Sequence, residues 1–217
     1  MSSGYGWIKR KRKPFFSLIV FLLLVVLLYP SAGRAGDDAM EQMRVSIDQI
    51  LAILRRDTPA QPWEEKKREI VAVVRQRFDS LELAQRVLAQ HWRDRTDDER
   101  RRFAQLFSDV LETTYINKLR SYSDQEIVFK KQLVKGDKAM VYSVIINNKQ
   151  EIPVDYRLQL NGSQWLLYDI IIEGVSLVQN YRKQFDQIIK KEKYEGLILR
   201  MEEKIRENRE RDRTIDA

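Results

Sequence analysis

The 217-residue chain has no cysteine and a single histidine, His91. Lack of thiols rules out a disulfide framework, a thiolate metal site and a cysteine nucleophile. A lone imidazole rules out a multi-histidine metal centre and leaves His91 as the sole base for a Ser-His-Asp triad. It lies in a polar helix end beside Trp92-Arg93, without a G-x-S-x-G elbow, so it reads as structural. Gly162 and Gly174 are isolated, not a phosphate cradle. Beyond position 36 the only prolines are Pro59, Pro62 and Pro153, and no Gly/Ser-rich linker divides the chain. Stability must come from a hydrophobic core.

Acidic residues are missing before Asp37. Lys9-Arg10-Lys11-Arg12-Lys13 precedes an apolar run from Phe15 to Tyr29, broken only by Ser17. Small residues Gly33 and Ala35 follow, at the positions a signal peptidase inspects. This three-part pattern predicts a cleavable secretory signal over 1–35. The run, about 15 residues, is shorter than the ~20 that span a bilayer as a helix. An uncleaved segment anchoring an adaptor at the inner membrane is the alternative. Cleavage removes six basic residues and leaves 33 Lys and Arg against 32 Asp and Glu. The sequence pI near 9.5 belongs mostly to the leader, and no nucleic-acid partner is expected. Residues 36–217 suffice for one domain of ordinary size, expected as a monomer.

That domain reads as helices, then strands, then helices. Val45, Ile47, Ile50, Leu51 and Leu54 mark a first amphipathic helix. Pro62 suits the first turn of a second, with Glu64 and Glu65 at its positive end. Asp79 or Ser80 can cap a third, running through Leu88. Thr96-Asp97-Asp98-Glu99 is a capping box opening a helix with Phe103, Leu106, Phe107, Val110, Leu111 and Tyr115 at helical spacing. After Ser121 the period becomes two. Ile127–Leu133, Ala139–Ile146, Ile152–Leu160 and Trp165–Ile172 form a four-stranded antiparallel meander, with Asn161-Gly162 as a hairpin turn. Val175 to Ile189 and Tyr194 to Ile205 stripe two further helices, and the charged tail from Glu202 to Arg213 reads as a solvated helix end. The predicted class is α+β: a helical part over 37–121, a curved sheet over 126–172 and C-terminal helices over 175–213.

The second and fourth strands are apolar on both faces, the third on one. Something apolar must cover both sides of the sheet: helices on each face, or a cavity with helices over it. Few groups could do covalent chemistry. Asp169 is assigned to the face of Trp165, Leu167 and Ile171, and carboxylates on cupped sheets serve as general bases. A buried ion pair with an arginine such as Arg182 is the plainer account of it. Asp155 is the other candidate base.

Trp165-Leu-Leu-Tyr168-Asp169-Ile-Ile-Ile-Glu173-Gly174-Val175-Ser176-Leu177-Val178-Gln-Asn180-Tyr181-Arg182-Lys-Gln-Phe185 closely resembles the signature of the MlaC family, also called toluene-tolerance proteins. Phe78-Asp79, Leu83-Ala84, Arg86-Val87-Leu88, Trp92 and the Thr96-to-Tyr115 helix resemble its helical half. The likeness runs from about Val45 to Lys204. Ala89-Gln90 stands where a glycine is common in the family, and the tail after Lys204 is long. The resemblance implies an α+β fold enclosing an apolar pocket, a diacyl phospholipid as ligand, and no enzymatic activity. It implies a soluble periplasmic carrier moving lipid between an outer-membrane lipoprotein complex and an inner-membrane ABC transporter complex. A hopanoid or other lipid is an alternative cargo, and an enzyme using Asp169 or Asp155 is a second alternative.

Such a carrier needs dry walls and neither a cofactor nor a metal. The expected lining is Phe103, Phe107, Leu111 and Tyr115 from the helix; Tyr142, Val144, Tyr156, Leu158, Ile170 and Ile172 from the sheet; and Val175, Val178 and Tyr181 beyond the Gly174 joint. Arg182 is the candidate for a phosphate at the rim.

Overall fold

The computed structural model describes residues 38–56, 62–116, 119, 125–147 and 150–215. The leader predicted over 1–35 lies outside them. Asp38 caps the first helix, α1 (Ala39–Leu54), its carboxylate accepting from the Met40 and Glu41 amides at 2.8 and 3.1 Å. The helix therefore starts ahead of Val45, where its apolar period becomes legible. Pro62 leads into α2 (Trp63–Arg75), and Asp79 caps α3 (Ser80–Leu88) by accepting from the Glu82 amide. Thr96 and Glu99 form the reciprocal capping box of α4 (Asp97–Tyr115).

Strands β1 (Glu126–Lys135), β2 (Lys138–Asn147), β3 (Gln150–Asn161) and β4 (Gln164–Ile172) pair antiparallel in sequence order. A two-residue β5 (Val175–Ser176) adds a fifth strand to the predicted four. Register puts Val141, Tyr156 and Ile170 side by side, and Ala139 beside Leu158. Between Arg157 and Leu158 the register slips by one residue, so Tyr168 becomes a bulge. Leu167 before the bulge and Ile170 after it thus share one face.

The chain ends in α5 (Leu177–Ile215), broken at Lys193, where φ is 66°. Before the break it runs antiparallel to α4: Tyr181 meets Phe107 and Phe185 meets Phe103. After it the direction reverses, Tyr194 donating to the Glu99 carbonyl, Glu202 reaching Arg102 and Asn208 reaching Thr113. Met201 and Ile205 are buried as their stripe predicts, and within the tail expected as a solvated end Asn208 is buried beside them. Their four- and three-residue spacing keeps one apolar seam on α4 within a charged sequence. Among the described residues, no helix is long and apolar enough to cross a membrane.

Among the described residues, three cores result. One joins α3, α4 and α5 around Phe103, Phe107, Phe185 and Leu197. A second seals α1 onto the sheet around Val141, Tyr156, Leu158 and Trp165. The third, much smaller, joins α1, α2 and the end of α4 through Ile53, Ile70 and Ile116.

Two backbone sites carry predictions. Ala89, just after α3, has φ 51° and ψ −116°, a region that strains any residue with a Cβ. Ala89→Gly should raise stability by about 1 kcal/mol, a Tm gain of roughly 2–4 °C by differential scanning fluorimetry. A Cβ at Gly196 would sit 2.5 Å from Glu192 Cβ beside the break in α5. Gly196→Ala should therefore lower stability by about 1–3 kcal/mol in the same assay.

Candidate functional site

The seams between the cores are hollow. A first cavity of about 430 Å³ lies between α1, α2 and the inner face of the sheet. Its walls include Met43, Ile47, Ile50, Val74, Phe78, Ile145, Tyr156, Leu167 and Ile170. A second cavity of about 300 Å³ lies between α2, α3, α4 and the end of β4, lined by Val71, Leu83, Leu111, Tyr115, Ile172 and Leu177 among others. Val74, Phe78, Leu119 and Ile170 border both and form the partition. Phe78 is fixed there because the segment after α2 is tied to β4: the Leu167 amide donates to the Arg77 carbonyl at 2.7 Å.

The second cavity reaches solvent near the Glu173-Gly174 joint. Tyr115 is 36 % exposed and Ile172 42 %, and Ile172 and Leu177 flank a turn with φ of 49° and 80°. The second of these angles suits glycine. The joint is held by Asp169, which is 3 % exposed. Its Oδ2 accepts from Arg157 Nη1 at 3.1 Å and Ser176 Oγ at 2.7 Å, and its Oδ1 from the Val178 amide at 3.1 Å. Ser176 Oγ in turn accepts from the Gln179 amide. A negative charge thus sits at the positive end of α5, doubly stabilised.

Polar groups on the cavity walls are few. In the second cavity the acid Glu112 is committed to Arg75 at 2.9 Å. In the first, Arg77 donates from Nε to Ser46 Oγ at 2.5 Å and from Nη1 to Gln42 Oε1 at 3.0 Å. Burial lowers its pKa from the ordinary arginine value, but a guanidinium stays charged. Burial also raises that of the Tyr156 hydroxyl, consistent with an apolar inner face.

Of the expected lining residues, Leu111, Tyr115, Tyr156, Ile170 and Ile172 border the cavities. Phe103, Phe107, Val178 and Tyr181 instead build the packed α4–α5 core, with Phe103–Phe107 and Phe107–Tyr181 ring centroids 6.0 and 5.0 Å apart. Burial and a neighbouring Tyr115 hydroxyl push the Tyr181 phenol up. Leu158 is fully buried against α1 and the sheet. Tyr142 and Val144 lie opposite Asp155 and Pro153 in register and so face away from Tyr156. Because β2 is apolar on both faces, alternation alone left its orientation open. Val175 is 61 % exposed. Arg182 lines neither of these two cavities; its Nε donates to the Arg86 carbonyl at 2.8 Å. Asp169 pairs with Arg157, not Arg182, and the bulge turns it from the face of Leu167. Asp155 lies opposite Tyr142 on the same outer face.

Sequence reasoning missed the α1–α2 wall, Met43 to Phe78, and its arginine. The signal was there: two amphipathic stripes whose residues are mostly half-buried, as cavity walls are. Asp169→Asn keeps the shape but removes the charge from Arg157 and the α5 terminus. It should cost about 3 kcal/mol in chemical denaturation, without an effect on a bond-breaking step.

This is a cup of helices and sheet around two dry hollows, an architecture for holding apolar groups. Residues 44–203 match the family described as MlaC protein. The chain is 23 % identical over 200 residues, 88 % of its length and 92 % of the relative's, to the intermembrane phospholipid transport system binding protein MlaC of Haemophilus influenzae. It is 32 % identical over 95 residues, 43 % of this chain and 44 % of the other, to the toluene tolerance protein Ttg2D of Pseudomonas putida. Its fold is similar to that of a phospholipid-binding protein from Ralstonia solanacearum, solved in complex with a phospholipid. The TM-score is 0.72 at 23 % identity, covering 79 % of this chain and 98 % of that one. The chain belongs to the MlaC family.

Proposed function

We propose that this protein is a periplasmic carrier of phospholipid, exported by its N-terminal signal, that shelters acyl chains in the two cavities while lipid passes between membranes. The observation that carries the reading is the pair of apolar hollows meeting at one partition in a chain of this family. The relatives' names and the phospholipid held by the similar structure support it.

The energetics ask for nothing more. Exposing a methylene to water costs about 0.8 kcal/mol, so a lipid with ~30 of them faces on the order of 20 kcal/mol to leave a bilayer unaided. An equally dry interior removes that penalty, and no bond changes. Partition by Val74, Phe78, Leu119 and Ile170 gives each of two chains its own hollow. An outer-membrane lipoprotein complex and an inner-membrane ABC transporter complex would be donor and acceptor.

Native mass spectrometry of protein purified from the periplasm should find the chain starting near Gly36 with a co-purified lipid mass, identified in the extract. Only apo mass, with lipid-free extracts, would overturn the reading. Leu111→Trp and Ile47→Trp, filling one hollow each, should lower lipid occupancy severalfold while Tm falls by no more than a few degrees.

A further inference from the structure

The geometry points to Arg77 as an oxyanion anchor on the wall of the first cavity, selecting a lipid that bears a phosphate or a carboxylate beside its acyl chains. This rests on the carrier reading above and adds to it which chemistry the site selects.

Arg77 is a guanidinium on the wall of an otherwise apolar cavity, and its side chain bonds only to neutral groups, Ser46 Oγ and Gln42 Oε1. No carboxylate among the described residues pairs with it. Nearby Arg75, by contrast, has Glu112 and Asp109, and Arg157 has Asp169. Its Nη2 hydrogens have no partner among the described residues, leaving one edge of the planar fork open to an oxyanion. A cation drawn partly out of water without a counter-charge is costly, and an incoming anion removes that cost.

The side chain is also aimed. Ser46 Oγ donates to the Gln42 carbonyl at 3.1 Å, which turns its lone pairs to Arg77 Nε. Gln42 Oε1 also accepts from the Trp165 amide at 2.9 Å, and its Nε2 donates to the Ser163 carbonyl. The guanidinium is thereby fixed to α1 and to the β3–β4 hairpin, not swinging in solvent. A guanidinium held in place by two bonds, beside a dry wall, suits a lipid oxyanion. A purely mechanical strut between α1 and the segment after α2 would use the same two bonds, so only selectivity separates the two roles.

Delipidated protein would be mixed with vesicles containing palmitoyl-oleoyl phosphatidylglycerol, the matching diacylglycerol without phosphate, or oleic acid, and uptake quantified by mass spectrometry. The wild-type chain should favour the phospholipid over the diacylglycerol about tenfold. Arg77→Gln should abolish that preference, with diacylglycerol uptake unchanged and Tm within a few degrees; Arg77→Lys should keep part of it. Loss confined to oleate would support the anchor and assign the oxyanion to a fatty-acid carboxylate. An equal loss for all lipids together with a lower Tm would overturn the anchor in favour of a strut. No preference of the wild-type chain for either phospholipid or oleate over the diacylglycerol would overturn it without any variant. Failure of the wild-type chain to take up any probe would instead sink the carrier reading itself.

Discussion

An apolar hollow inside a folded chain tends to collapse, since unfilled volume forfeits packing and raises the free energy in proportion to its size. Everything else in this structure follows from how that collapse is resisted. Three cores are packed independently, and the cavities are the seams they cannot close. Stacked and edge-on rings of Phe103, Phe107, Phe185 and Tyr181 lock α4 to α5. Leu158, Val141 and Trp165 lock α1 to the sheet. Neither rigid unit can move into the seam without breaking its own contacts. Filling the seam with hydrocarbon restores the missing contacts, so binding and stability are linked.

The joint from β4 to α5 is where the two larger cores are coupled. Asp169 bonds Arg157 on β3, Ser176 on β5 and the first turn of α5. One buried carboxylate thus ties the sheet to the helical core across a turn with two positive-φ residues. That turn lies beside the open end of the second cavity. Asp169, read in the sequence as a partner for an arginine, is a fastener in the fold, and the bulge at Tyr168 turns it from the face of Leu167 to that of Arg157.

The helical half, the meander and the Glu173-Gly174 joint were legible because they are written in local signals: caps, periods and turn residues. The wall of the site was less so, for a physical reason. The long apolar period of α4 marks solid packing, since residues such as Phe103 and Phe107 recur on one face to fill space. Cavity walls need residues that are apolar yet under-packed, such as Ile47, Val74 and Phe78, and their spacing is that of any amphipathic helix. Strand β2 shows the second limit. With apolar residues on both faces, only its register with β3 decides that Val141 looks inward and Tyr142 outward. Arg77 shows the third, since an unpaired arginine and a paired one read alike until their neighbours are known.

Under the proposed carrier role, the third core is where cargo would exchange. Among the described residues, Ile53, Ile70 and Ile116 are its buried members, against fifteen in the α3–α4–α5 core. Local opening takes the least free energy where the fewest apolar contacts are lost. That place is the contact of α1 with α2 and the end of α4, which is a wall of both cavities. Parting it would widen the hollows while the aromatic core and the sheet stay intact. Under that reading, the wall that parts first is where an acyl chain would slide out. The cargo's own gain on entering an acceptor's equally apolar site then needs to offset only that small opening.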